Sequence, residues 1–160
     1  MISKLSEIHE NTKIGENVTI EAFTSIHEGV EIGEGTWIGS NVTIYPGARI
    51  GKNCKVFPGA VISAIPQDLK FQGEESTVEI GNNTTIRECV TINRGTIDKK
   101  VTKIGDSCLL MAYVHIAHDC MIANNVIIAN TVQVAGHVSI DEWAFVGGSS
   151  AIHQFVKIGM

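Results

Sequence analysis

A chain of 160 residues is about one domain's worth of sequence, long enough to bury a real core. Its 44% hydrophobic and 18% charged residues are ordinary for a globular protein, and a net charge of −5 with no basic stripe excludes general nucleic-acid binding. No apolar run approaches the ~20 residues that span a bilayer, and "MISKLSEIHENTK" lacks the apolar centre of a signal peptide, so a cytoplasmic location is expected.

From the N-terminus an aliphatic residue recurs at every sixth position: Ile8, Ile14, Ile20, Ile26, Ile32, Ile38, Ile44, Ile50, Val56 and Ile62. A helix needs a period near 3.6 and an ordinary strand a period of 2, so six points to a repeat. The fourth residue of each hexad is often Gly or Asn (Asn17, Gly29, Gly35, Asn41, Gly47, Asn53), which tolerate the positive φ of a tight corner. The fifth is small or β-branched (Val18, Thr24, Val30, Thr36), as a second inward side chain should be. Each hexad therefore reads as a short strand plus a corner. Three make a triangular coil of 18 residues, and the coils stack into an all-β parallel helix.

After Ile62 the pattern lapses over 63–79, returns at Ile80, Ile86 and Ile92, and lapses again over 98–103. It then runs from Ile104 to Ile158. Residues 1–160 are thus expected to form a single β-helix domain, with these two interruptions as candidate active-site loops. The basic cluster at 97–103 reads as a solvated loop. Cys54, Cys108 and Cys120 fall on the inward fifth position, and none of the four cysteines has paired C-x-x-C spacing, so all read as free thiols.

Taken modulo 18, Ile116, Val134 and Ile152 stack on three successive coils. His118, His137 and His153 follow them closely, with His115 and Gln154 adjacent, and Asp98 is placed in the same register one coil earlier. Four of six histidines thereby converge on one corner. A histidine near pH 7 suits general-base chemistry. Zinc is disfavoured, because the H-x4-H spacing of the hexapeptide gamma-class carbonic anhydrases is missing. Leu109, Ile127 and Phe145 should form an outward apolar ladder, which is expected to lie at a subunit contact.

At these residues the chain resembles the UDP-N-acetylglucosamine acyltransferases that begin lipid A synthesis in Gram-negative bacteria. The resemblance is carried by "HIAHDC" (115–120), "AGHVS" (135–139), "AIHQF" (151–155), "IPQDLKFQGE" (65–74) and "TIRECVTINRGT" (85–96). It implies a left-handed β-helix assembled as a homotrimer. It further implies transfer of a 3-hydroxyacyl chain from acyl carrier protein to the 3-hydroxyl of UDP-N-acetylglucosamine, with no cofactor beyond the carrier's thioester. On that likeness His118 is the general base with Asp119 its partner, and the Gly136 backbone N–H steadies the oxyanion. Gln67, Asp68, Lys70, His115, His137 and Gln154 contact the sugar nucleotide, while Gly148 and His153 are assigned to the acyl donor.

Two departures accompany the likeness. Asn93 in "TINRGT" stands where some relatives carry histidine. The chain closes at "VKIGM" within a repeat, so a shortened version without the C-terminal helical domain is expected, lacking the residues that measure the acyl chain. Two alternatives stay open. One is another acyl- or acetyltransferase of the same fold, against which the "PQDLKFQGE" loop counts. The other is an inactive β-helix fragment.

Overall fold

The computed structural model describes residues 1–160 and contains strands but no helix. Most strands are two residues long, and they form three parallel sheets. The first face runs from Glu7–Ile8 to Ala151–Ile152, the second from Lys13–Ile14 to Lys157–Ile158, and the third from Thr19–Ile20 to Phe145–Val146. Each strand pairs with the one a full coil away, as in Ile26 with Ile44 and Ile128 with Val146. The period-six aliphatics therefore stack into three columns. Together with the fifth-position side chains they form one core of 35 buried residues. Each fully buried Ile contributes roughly 1.5–3 kcal/mol by leaving water.

The corners follow the expected chemistry in part. Asn17, Asn41, Asn53, Asn83 and Asn125 adopt φ of 53–58°, and Gly29, Gly35, Gly47 and Gly59 take the same left-handed conformation. Equivalent corner positions are also held by Phe23, Tyr113, Asp119, His137, Trp143 and Phe155, with φ of 60–65°. Such conformations cost non-glycine residues roughly 1–2 kcal/mol each, and the hydrogen bonds of the stacked coils hold them in place. His137 N, for example, donates to His118 O at 3.0 Å.

Fifth-position hydroxyls and thiols knit successive coils together. Thr24 Oγ1 donates to Gly39 O (2.7 Å) and accepts from Val42 N (3.2 Å). Cys54, Cys108 and Cys120 make the equivalent S–H bonds to Gly81, Ala123 and Ala135 carbonyls at 3.0–3.1 Å. All four cysteines are free thiols.

The first interruption is shorter than its sequence bounds and the second starts earlier, because the flanking strands run over Val61–Ala64, Thr77–Ile80, Thr91–Asn93 and Val101–Ile104. The excursions proper run over 65–76 and 94–100. They add 12 and 6 residues to their coils, so Ile62 pairs with Ile92, and Ile92 with Ile116. This corrects the placement of Asp98. Ile92, not Asp98, lies one rung before Ile116, and Asp98 sits on the protruding second loop. A bulge at Ser63 (φ 67°) shifts the ladder there, so that Asn93 pairs with Ala64.

Leu109, Ile127 and Phe145 pair rung on rung along the third face. Phe145 is 65% exposed.

Candidate active site

The first face ends each strand with one residue before the corner turns. Reading up this column gives His27, Tyr45, then across the bulge Ala64, Asn93, Ala117, Ala135 and His153. His27 and Tyr45 stack at 4.7 Å and fill their rungs. Where alanines replace them, a cavity of about 520 Å³ opens on the outside of the prism, walled by Gln67, Asn93, His115, His118, Gly136, His153 and Gln154 among others.

His118 is 6% exposed and sits beside Asp119, which is fully buried. His118 Nδ1 lies 2.9 Å from Asp119 Oδ2. Asp119 Oδ1 also accepts from Thr96 N (3.0 Å) and Lys99 N (3.2 Å), Oδ2 accepts from the Thr96 hydroxyl, and Asp119 N donates to Thr102 Oγ1 (2.9 Å). Burial pushes the Asp119 carboxyl upward, but the hydrogen bonds from Thr96, His118 and Lys99 outweigh it and hold the group below its ordinary value. An ionised carboxylate only accepts, so Nδ1 carries the imidazole proton and Nε2 is left free to take another.

Gly136 lies against the other side of the ring. A Cβ built there would fall 2.5 Å from His118 Cε1 and 2.7 Å from Nε2. Its φ is not left-handed, so space alone demands glycine. Cys120 Sγ donates to the Ala135 carbonyl, which is the other end of the Gly136 N–H amide. Burial pushes the Cys120 thiol up to about 11, so it stays protonated and is a hydrogen-bond donor rather than a nucleophile.

His137 is placed behind the cavity wall. Its ring meets His118 edge-on at 5.1 Å and stacks on Phe155 at 4.5 Å, and Nε2 lies 3.7 Å from Asp98 Oδ2 and 3.8 Å from Asp119 Oδ2. Asp98 thus reaches the site through its loop, despite its displaced register. His118, Asp119 and His137 offer donor atoms within 4.8 Å of one another, a spacing that could hold a cation. The Asp119 oxygens are already taken up by four hydrogen bonds, which makes the trio a proton-handling cluster rather than an open ligand set. His115 Nδ1 lies 2.7 Å from Thr91 Oγ1, and burial, then the nearby His118 charge, lowers its pKa.

Of the residues singled out from sequence, the cavity gathers Gln67, His115, His118, Gly136, His153 and Gln154. Asp119 and His137 stand directly behind them. Three fall elsewhere. Asp68 Oδ1 accepts from Lys70 N (3.0 Å) within its own loop, Lys70 lines a separate hollow with Glu74 and Ile97, and Gly148 lies over Asn130 and Ala129. Thr96 and Lys99, from the second loop, and Thr102, from the strand Val101–Ile104, fix Asp119, and none is marked in the sequence because this stretch carries no repeat signal. Asn93 was noted as a departure, but not as part of the cavity wall.

Bacterial transferase hexapeptide repeats match residues 11–36, 29–64 and 102–136. The chain is 56% identical to the acyl-[acyl-carrier-protein]–UDP-N-acetylglucosamine O-acyltransferase of Campylobacter curvus, over 99% of this chain and 61% of that protein. The enzyme of the same description from Aliarcobacter butzleri is 52% identical over the same shares. The structure of LpxA from Acinetobacter baumannii superposes with a TM-score of 0.98 at 45% identity, covering 99% of this chain and 62% of that one. The chain thus spans about three fifths of the length of these relatives, and with them it shares the all-β, left-handed parallel β-helix expected from the sequence. It belongs to the bacterial transferase hexapeptide family, and within that family its likeness is to the UDP-N-acetylglucosamine acyltransferases.

Proposed function

We propose that the chain carries the active site for moving a 3-hydroxyacyl group from acyl carrier protein to the 3-hydroxyl of UDP-N-acetylglucosamine, the first step of lipid A synthesis. The observation that carries this reading is the His118–Asp119 pair at the mouth of the cavity, with Nδ1 committed to the carboxylate and Nε2 free. A sugar hydroxyl is a poor nucleophile, whereas a thioester is already activated. His118 Nε2 takes the hydroxyl proton as the oxygen attacks the thioester carbonyl. The tetrahedral oxyanion faces the Gly136 N–H, and its collapse expels the carrier thiolate, which recovers a proton from His118. Asp119 steadies the imidazolium in between. No covalent enzyme intermediate and no cofactor enter this scheme.

In this reading Gln67, His115, His153 and Gln154 line the sugar-nucleotide and donor space, with His137 supporting from behind. Asp68, Lys70 and Gly148 reach ligand only after the first loop moves or a second copy contributes. A cytoplasmic homotrimer fits these assignments, with Leu109, Ile127 and Phe145 covered at the subunit contact. The half-exposed ladder and the outward-facing cavity support it, and no helix is long and apolar enough to cross a membrane.

The test is to incubate the chain with UDP-N-acetylglucosamine and 3-hydroxyacyl carrier protein, and to follow the acylated sugar nucleotide by mass spectrometry. Product from the wild type and about 10²-fold or greater loss in His118→Ala are expected. Undiminished turnover by His118→Ala removes it from the base role. No turnover and no binding of the sugar nucleotide by the wild type overturns the reading.

A further inference from the structure

Three buried side-chain polar atoms lack a hydrogen-bond partner: Ser76 Oγ, Arg94 Nε and Asn93 Oδ1. Ser76 and Arg94 border a separate polar hollow beneath the 65–76 loop. Only Asn93 lines the active-site cavity, and it is 4% exposed. Leaving a buried amide oxygen unpaired costs roughly 1–3 kcal/mol, so such a group in a folded protein calls for an explanation.

Its position supplies one. Asn93 closes the strand Thr91–Asn93, whose Ile92 pairs with Ile116. One rung on, at the strand spacing of about 4.8 Å, Ala117 immediately precedes His118. Asn93 is flanked by Ala64 on one side and Ala117 on the other, and neither side chain can reach it with a polar atom. Gln67 from the first loop stands on the same wall. The carboxamide therefore sits in a column of small residues, one rung below the proton-accepting histidine, with a donor and an acceptor to offer.

We infer that Asn93 is a specificity-determining residue, whose carboxamide hydrogen-bonds a polar substituent of the acceptor sugar next to the hydroxyl that His118 deprotonates. This rests on the acyltransferase reading above. It assigns to Asn93 recognition of the sugar rather than of the nucleotide or the acyl donor. A site built around such a bond discriminates strongly, because an acceptor lacking the matching group leaves the amide buried and unpaired.

The experiment compares wild type with Asn93→Leu, similar in volume and free of polar atoms, and with Asn93→Ala, which needs no extra room. Thermal stability, KM for UDP-N-acetylglucosamine and binding of UDP alone are read for each. Replacing an unpaired buried amide by an apolar side chain is neutral or stabilising, so the melting temperature of Asn93→Leu should hold or rise. KM for the acceptor should rise, or kcat/KM fall, by about tenfold or more, while UDP binds as in wild type. An active wild type with unchanged acceptor KM in both variants overturns the role of Asn93 and leaves the acyltransferase reading intact. An equal loss of UDP affinity in both variants also overturns it, since the effect would then not be on the sugar. A wild type that neither binds nor turns over the sugar nucleotide removes both.

Discussion

Replacing Gly136 by alanine puts a methyl group in place of a hydrogen at the most crowded point of the site. The new Cβ would stand 2.5 Å from His118 Cε1, 2.7 Å from Nε2 and 3.1 Å from Nδ1. Carbons in contact sit at 3.5–4.0 Å, so the ring must withdraw by about 1 Å. It has little freedom to do so, because Nδ1 is held 2.9 Å from an Asp119 that is itself fixed by Thr96, Lys99 and Thr102. Either the His118–Asp119 bond lengthens or the Gly136 corner is pushed outward. Overpacking of this kind costs about 1–3 kcal/mol of stability, and displacing a reacting group by 1 Å costs on the order of 10² in rate. The backbone N–H survives the substitution and its φ is ordinary, so the loss reports on the imidazole's position. Denaturant unfolding and single-turnover acyl transfer measure the two parts. A Gly136→Ala protein with wild-type stability and wild-type turnover would refute the argument that space at this corner is set by His118.

Other perturbations separate the remaining contributions. Asp119→Asn removes the charge that holds the Nδ1 proton and offers that nitrogen a donor instead; kcat should fall by about 10²–10⁴ with UDP-N-acetylglucosamine affinity little changed, as calorimetry and steady-state kinetics can show. Cys120→Thr keeps a donor to the Ala135 carbonyl, as Thr24 does to Gly39, whereas Cys120→Val leaves that carbonyl unpaired. Urea unfolding should show the valine variant about 1–3 kcal/mol less stable than the threonine one, and equal stabilities would count against the bond. His115 has a lowered pKa in the folded state, so the unfolded chain binds the extra proton first on acidification. Its contribution is complete above the free-histidine value near 6.5 and is lost as pH falls below it. The melting temperature of wild type should therefore drop more between pH 8 and pH 5.5 than that of His115→Gln.

The columns of the prism were legible because Ile and Val recur strictly at every sixth position, and a fold whose strands repeat registers that period directly. The convergence of His115, His118 and His153 followed from the same count. Asp98 marks where counting stopped working. A loop adds residues without declaring which rung the chain rejoins, so its register depended on 12 and 6 residues added to the coils, which only the pairings Ile62–Ile92 and Ile92–Ile116 reveal. The supports of Asp119 were hidden for a related reason. Thr96 and Lys99 are 23 and 20 residues away in the chain and belong to a stretch with no periodic signal. At the corners, Gly and Asn announce a positive φ, whereas Phe23, Tyr113 and Trp143 adopt it against their own preference. There the stacked coils decide the conformation, and local composition does not.

The column Tyr45, Ala64, Asn93, Ala117, Ala135, His153 has a further consequence. Side chains in it succeed one another at a fixed interval, and each occupies its own rung without disturbing the backbone of the next. The room available to a ligand therefore changes in whole rungs. An alanine exchanged for a ring closes one compartment, and a ring exchanged for an alanine opens one, while the adjoining compartments stay as they were. A solenoid of this kind can alter what it accepts by editing single letters in one vertical line, with the base, its carboxylate and the corner glycine left untouched one or two positions away.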